Sequence, residues 1–389
     1  MPLEPSAAEF FFVLAIVRRG FVIYSSMRIL LLSAYHSASH RYWCQGLMGG
    51  LPEIEWTLLT QPARHFSWRV RASGLIWGRH DDPAWAQNYD LIIATSLSDI
   101  VTIKGLRPKL QQTPVWLYFH ENQFAHPRSG NQTSNQQISW QFQSILNALS
   151  ADWISFNTAF NRDSFLRGAK KLLRIFPEKL PGNPIEQLAL RSDVLPVPLT
   201  DRFANFADAP KVPNRIVWNH RWEWDKRPEH FLRVLIKLQA RGVDFELAML
   251  GIGDAHQAGA FEEEAERLNE RIVHWGEANE TDYMHWIRSA GVGVSTAIHD
   301  FQGLAMLELA QAGATVVVPN RLAYPECLPT ACFYRGSDND PEQDAADLEK
   351  ALFQILSGHR PAPVKAEALP HWKNLAENYR KQISRLATR

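Results

Sequence analysis

Short apolar runs rich in β-formers alternate along this chain with segments whose apolar residues recur at helical spacing, and the alternation happens twice. In the first half, Arg28 to Leu32, Trp56 to Thr60, Asp90 to Thr95, Val115 to Phe119 and Trp153 to Phe156 read as strands. Before the last of these, Ile138, Phe142, Ile145, Leu146 and Leu149 keep the period of a helix. Such alternation predicts a parallel sheet with crossover helices. A proline-punctuated stretch, LPVPL at Leu195 to Leu199, followed by polar residues to Asn214, predicts a linker. Beyond it the pattern restarts, with strands at Arg215 to Trp218, Glu246 to Leu250, Gly291 to Ser295 and Thr315 to Val318. Phe231, Val234, Leu235 and Leu238 line one helix face, and Leu304 to Ala312 form another helix.

The expected fold is α/β, with two Rossmann-like domains whose parallel sheets face an interdomain cleft. A chain of 389 residues, 46% of them hydrophobic, can fill two such cores. The expected divisions are an extension over 1–26, an N-terminal domain over 27–200, a C-terminal domain over 201–365 and a terminal helix over 366–389. Phe10 to Val17 (FFFVLAIV) is too short to span a bilayer and lacks a positive segment before it, so no membrane association is expected. Ligands of open α/β sheets bind beyond the C-terminal ends of the strands, which places the expected site in the cleft.

Lysine plus arginine and aspartate plus glutamate stand at 41 each, so any nucleic-acid contact needs a local basic patch. Cys44, Cys327 and Cys332 have no metal-ligand spacing and suit a reducing, cytoplasmic compartment. Fourteen tryptophans supply much packing surface, and a surplus of flat rings also suits a site that stacks on sugars or bases.

Two constellations carry chemistry. In HDFQGLAMLE, from His299 to Glu308, a helix is expected to start near Gly303. Its opening amides, at Gly303 and Leu304, lack intrahelical partners and suit a phosphate. Glu308 lies between one and two turns further in, where a carboxylate can accept from a ribose diol, and Asp300 is expected to point at whatever the phosphate carries. In NHRWEWDKRPEHF, from Asn219 to Phe231, Arg221 and Lys226 stand five residues apart between a strand and a helix, where two cations can neutralise a departing diphosphate. Taken singly, each has an ordinary reading: a helix start with dipole-favoured acids, and a solvated turn in which Glu223 and Asp225 pair with the cations.

Together, the two have the order and spacing of the retaining glycosyltransferases of GT-B architecture, in which an R-x4-K pair grips the nucleotide phosphates and an acid-x7-acid motif holds sugar and ribose. GIGD, with Gly251 and Gly253, resembles the glycine turn beside the base in that group. HFSWRVRASGLIW (His65 to Trp77), YFHENQFAHP (Tyr118 to Pro127), FNTAFNRDSFL (Phe156 to Leu166), NHRWEWDK and the segment from HDFQG to YPE (Tyr324 to Glu326) resemble the tRNA-queuosine mannosyltransferases. The resemblance runs from about Met27 to Glu326. It implies transfer of mannose from GDP-mannose to the cyclopentenediol of queuosine in the anticodon of aspartate tRNA, with no metal and no other cofactor. The chain departs from that family at Asp300, where the pattern has glutamate, and at Ser37, Ala38 and Ser39, where the first loop usually contains glycine.

The same segments can be read from their residues alone. His120, Glu121, Asn122 and Gln123 follow a buried strand and face the cleft, where His120 can hydrogen-bond a sugar hydroxyl; with His40 they form the expected acceptor side. Arg64, His65, Trp68, Arg69 and Arg71 interleave cations with aromatics, as a surface for phosphates and bases would. Arg162, Arg167, Lys170, Lys171 and Arg174 form a second basic stretch, which alone reads as a charged helix face. The DND at Asp338 to Asp340 lies in an acidic loop and reads as solvated. Two rivals stay open: an enzyme of the same build acting on a lipid or polysaccharide, and a catalytically silent tRNA-binding protein. Arg221→Ala or Lys226→Ala is expected to lower turnover by about 10²–10³ while leaving the fold intact.

Overall fold

The computed structural model describes residues 27–126, 134–251, 253, 261–337 and 340–388. The extension over 1–26 and most of the DND motif lie outside them. The first sheet contains β1 (Arg28–His36), β2 (Glu55–Pro62), β3 (Leu91–Thr95), β4 (Val115–Phe119), β5 (Trp153–Phe156) and β6 (Ser192–Val194), ordered β2-β1-β3-β4-β5-β6 and parallel throughout. The second contains β7 (Val212–Asn219), β8 (Glu246–Leu250), β9 (Ile272–Gly276), β10 (Ala290–Val294), β11 (Thr315–Pro319) and β12 (Cys332–Tyr334), ordered β12-β11-β10-β7-β8-β9, also all parallel. Each inner strand is buried on both faces because helices cover both sides, which is why these strands read as unbroken apolar runs. Among the described residues, no helix is long and apolar enough to cross a membrane.

The terminal helix, Trp372–Ala387, does not stand apart. Its buried residues Tyr379, Ile383 and Leu386 join a core with Ile29, Leu31, Trp43, Leu47 and Trp116, so the chain returns to finish the outer layer of the first sheet. The Trp43 indole donates to the Tyr379 hydroxyl at 3.1 Å, and that hydroxyl donates to the Pro196 carbonyl at 3.0 Å. Gly46 and Gly50, one turn apart on the helix Ala38–Gly50, leave the room that Trp372 fills: a Cβ at either would lie within 2.8 Å of its ring. The two passages between the domains lie side by side, with Leu199 bridged to His371.

Candidate active site

In the second sheet, successive strands run outward in opposite directions from the β7–β10 junction, and this reversal opens a crevice beyond their carboxyl ends. β7 leads into His220–Lys226 and β10 into Ser295–Gly303, so topology alone makes the two chemistry-bearing segments neighbours. They share a cavity of about 170 Å³. Arg221, Lys226, Asp300, Gly303 and Leu304 line it from the second domain, while Ser39, His120, Glu121 and Asn157 line it from the first.

Lys226 is only 8% exposed. Its ammonium lies 3.2 Å from Asp225 and donates to the His299 carbonyl, so it ties the two loops together. Burial acts to raise the Asp225 pKa, but the hydrogen bond with His299 and the charge on Lys226 outweigh it and hold the carboxyl well below its usual range. Arg221 is 68% exposed and pairs with Glu223 at 2.6 Å. The ordinary reading of this turn, acids paired with cations, is therefore what the geometry contains, and both cations still line the cavity. Lys226 is a buried brace, so its removal is expected to cost stability as well as turnover, whereas Arg221 is exposed.

Asp300 is turned onto its own loop. One oxygen accepts from the Gly303 amide at 2.9 Å, and the other from the Tyr324 hydroxyl at 3.1 Å. Burial would raise its pKa, but nearby positive charge, Lys226 foremost, lowers it. Asp300 lines the cavity while it also caps the turn, as a short side chain three residues ahead of a free amide does. Gly303 has φ +75°, and a Cβ there would stand 2.7 Å from Tyr324, so the close turn needs glycine. The helix Leu304–Gln311 begins at the expected place, and its first amides have no acceptor within the helix.

Glu308 lines neither this cavity nor the one beside it. The Tyr283 hydroxyl donates to it at 2.7 Å, and burial raises its pKa. Gly251 and Gly253 also lie off both walls. A Cβ on Gly251 would stand 1.9 Å from the His220 carbonyl, and one on Gly253 would stand 2.8 Å from Trp222. That glycine pair therefore lets the turn after β8 press against the segment carrying Arg221.

On the facing domain, the buried His120 Nε2 has no hydrogen-bond partner among the described residues. Burial first, and His40 second, push its pKa well down, so the ring is neutral. His40 itself is 2% exposed, donates to the Tyr35 carbonyl and packs with its ring tilted against His120, centroids 4.4 Å apart, which makes it a support for that ring and not a contact surface. Asn122 is corrected in the same way: its side chain bonds Asn161, Ser164 and the amides of Phe124 and Ala125, and so shapes the loop.

Glu121 and Gln123 line a second cavity, of about 230 Å³, with Tyr35, Phe66, His126, Gln137, Trp140, Arg221 and Glu223. Glu121 and Arg221 belong to both cavities. Phe66 opens the helix Phe66–Arg79, on whose first turns Trp68 is 73% exposed and Arg71 is exposed. Arg64 is also exposed, whereas Arg69 is tethered to the Pro62 carbonyl and to Gln61.

Several residues were missed from sequence. His299 bonds Asp225, and buried His220 is held neutral, its pKa lowered to about 4 by burial and then by Lys226. Their adjacency to Asp300 and Arg221 was the available signal. Glu326 reaches across from the second domain, and its carboxylate accepts from the amides of Ala159 and Phe160 at 2.7 and 3.1 Å. It thereby caps the helix Ala159–Arg174 of the first domain. Gln302 pins Val197 through both its backbone groups, and Thr158 donates to the Phe301 carbonyl.

Residues 28–199 match the model of the tRNA-queuosine alpha-mannosyltransferase N-terminal family. The tRNA-queuosine alpha-mannosyltransferase of Drosophila melanogaster is 30% identical over 320 residues, 80% of this chain and 84% of the relative. Among solved structures, sucrose-phosphate synthase from Thermosynechococcus elongatus superposes with a TM-score of 0.63 at 14% identity, covering 92% of this chain and 99% of that one. Anabaena HepE in complex with UDP-glucose gives 0.61 at 12% identity, with 92% and 100% covered. These two show the fold alone, which is GT-B. Thirty per cent identity to the insect enzyme over most of both chains, with the match to the N-terminal model, places this chain in the tRNA-queuosine alpha-mannosyltransferase family, and it is a glycosyltransferase.

Proposed function

We propose that this enzyme transfers mannose from GDP-mannose to the cyclopentenediol of queuosine in tRNA, aspartate tRNA being the expected carrier, with retention at the anomeric carbon and without a metal, in the cytoplasm. The observation that carries the reading is the shared cavity. A guanidinium, a buried ammonium and the opening amides of a helix face one small space, and an unpartnered neutral histidine faces it from the acceptor side. The diphosphate lies between Arg221, Lys226 and the amides of the Leu304–Gln311 helix, where preorganised positive charge stabilises it as it departs. His120 Nε2 takes a sugar hydroxyl. Glu308 and the glycine turn at Gly251 and Gly253 serve the nucleoside end, Glu308 through a ribose diol.

The bond from the anomeric carbon to the phosphate oxygen breaks, and a bond to the acceptor hydroxyl forms on the same face. The departing phosphate oxygen takes the acceptor's proton, leaving GDP. Exposed Arg71, Arg64 and Trp68 are near in sequence to Phe66, which lines the second cavity, and suit the phosphates and bases of the tRNA. The test is mass spectrometry of nucleosides from queuosine-containing tRNA incubated with the protein and a panel of sugar donors. A hexose-sized gain on queuosine with GDP-mannose alone is the expected result; no gain with any donor overturns the reading.

A further inference from the structure

The second cavity has two features that point to a ligand of defined chemistry. One wall is a chain of aromatic rings: Phe66 packs edge-on to Tyr35, with centroids 5.5 Å apart, and to Trp140, at 5.4 Å. The rest of the lining is polar: among the described residues it holds the carboxylates of Glu121 and Glu223, the guanidinium of Arg221, and Gln123, Gln137 and His126. Two acids facing one cation disfavour a phosphate and favour a second cation. The aromatic side of the cavity favours a flat ring. The volume, about 230 Å³, falls below the roughly 300–1,000 Å³ of pockets that enclose a drug-sized ligand. A single substituted base is the right scale.

We propose that this cavity binds the acceptor base against Tyr35, Phe66 and Trp140, and that Glu223, with Glu121, holds a positively charged amine carried by that base. The assignment rests on the proposed function and deepens it. Queuosine has a secondary amine between its base and its cyclopentenediol. With the base in the aromatic cavity and the diol facing the donor cavity, the amine falls at the boundary, where Glu121 and Arg221 line both spaces. Arg221 pairs with Glu223 at 2.6 Å. An arriving ammonium substitutes for that guanidinium and frees Arg221 to turn toward the diphosphate. The same carboxylate thus selects the modified base over guanine and ties acceptor arrival to assembly of the donor site.

The test compares equilibrium binding of one tRNA carrying queuosine with the same tRNA carrying guanine at that position. The wild type prefers the first, and Glu223→Gln reduces the preference by roughly tenfold, the low end of what a hydrogen bond to a charged group is worth. Glu223→Asp, which keeps the charge, restores part of it. If the wild type transfers mannose and Glu223→Gln retains the full preference, the cavity assignment fails while the function stands. If the wild type transfers nothing to queuosine-containing tRNA, both fail.

Discussion

Replacing Lys226 with methionine separates its two roles. The side chains of Lys226 and Asp225 are both buried, and their charged groups stand 3.2 Å apart. At an effective dielectric of about 20, that separation corresponds to an attraction of about 5 kcal/mol. Removing one partner leaves the other buried without its counter-charge, which typically costs 3–5 kcal/mol. Asp225 keeps its contact with His299, so the lower end, about 3 kcal/mol, is expected. For a domain of this size that corresponds to a fall of roughly 6–12 °C in the unfolding temperature. Turnover falls by about 10²–10³ through loss of preorganised charge. The double variant Lys226→Met, Asp225→Asn removes both charges and recovers most of the stability, but none of the turnover. Calorimetry and a single-turnover transfer assay on the wild type and both variants decide the matter. Unchanged melting in Lys226→Met would refute the buried-brace argument. Turnover that returns with stability in the double variant would show that Lys226 acts on structure alone.

Other expectations follow from the same geometry. Arg221→Ala, at an exposed position, keeps the wild-type unfolding temperature within about 1 °C while losing about 10²–10³ in turnover; comparable melting loss in both cation variants would contradict this. The folded-state pKa of His220 is about 4, below its unfolded value near 6.5. Its contribution, on the order of 3 kcal/mol, is fully present above pH 6.5 and is lost as pH falls from 6.5 to 4, and a His220→Gln variant should flatten urea midpoints across that window. Arg71→Ala is expected to weaken tRNA binding and to lower the slope of log affinity against log salt by about one, whereas a parallel shift at unchanged slope would remove Arg71 from the phosphate contacts. Glu326→Ala leaves the Thr158 cap in place but takes the acceptor from the amides of Ala159 and Phe160, at a cost of about 1 kcal/mol, and amide exchange at those two residues should accelerate selectively.

The inner strands were legible because burial on both faces leaves an uninterrupted apolar run: Val115–Phe119, Trp153–Phe156 and Glu246–Leu250 fall where the sequence places them. The edge strands β6, β9 and β12 were not, since three to five partly buried residues such as Ser192–Val194 carry neither a run nor an alternation. In the site, spacing identified Arg221, Lys226 and Gly303, whose positions follow from strand ends. Orientation was illegible. That Tyr324 reaches Asp300, that Asn122 turns inward to Asn161 and that Glu308 meets Tyr283 depend on neighbours from distant segments. Glu326 belongs to YPE, a motif visible in the sequence, but no local pattern says that its carboxylate reaches another domain.

The returning helix Trp372–Ala387 has a consequence for biosynthesis. Trp43, Leu47 and Trp116 find their partners Tyr379, Ile383 and Leu386 only after more than two hundred intervening residues have been made. The first domain therefore leaves the ribosome with one greasy flank bare. A fragment ending at the LPVPL hinge should be sticky and chaperone-bound, and supplying the missing helix as a separate peptide should rescue its solubility.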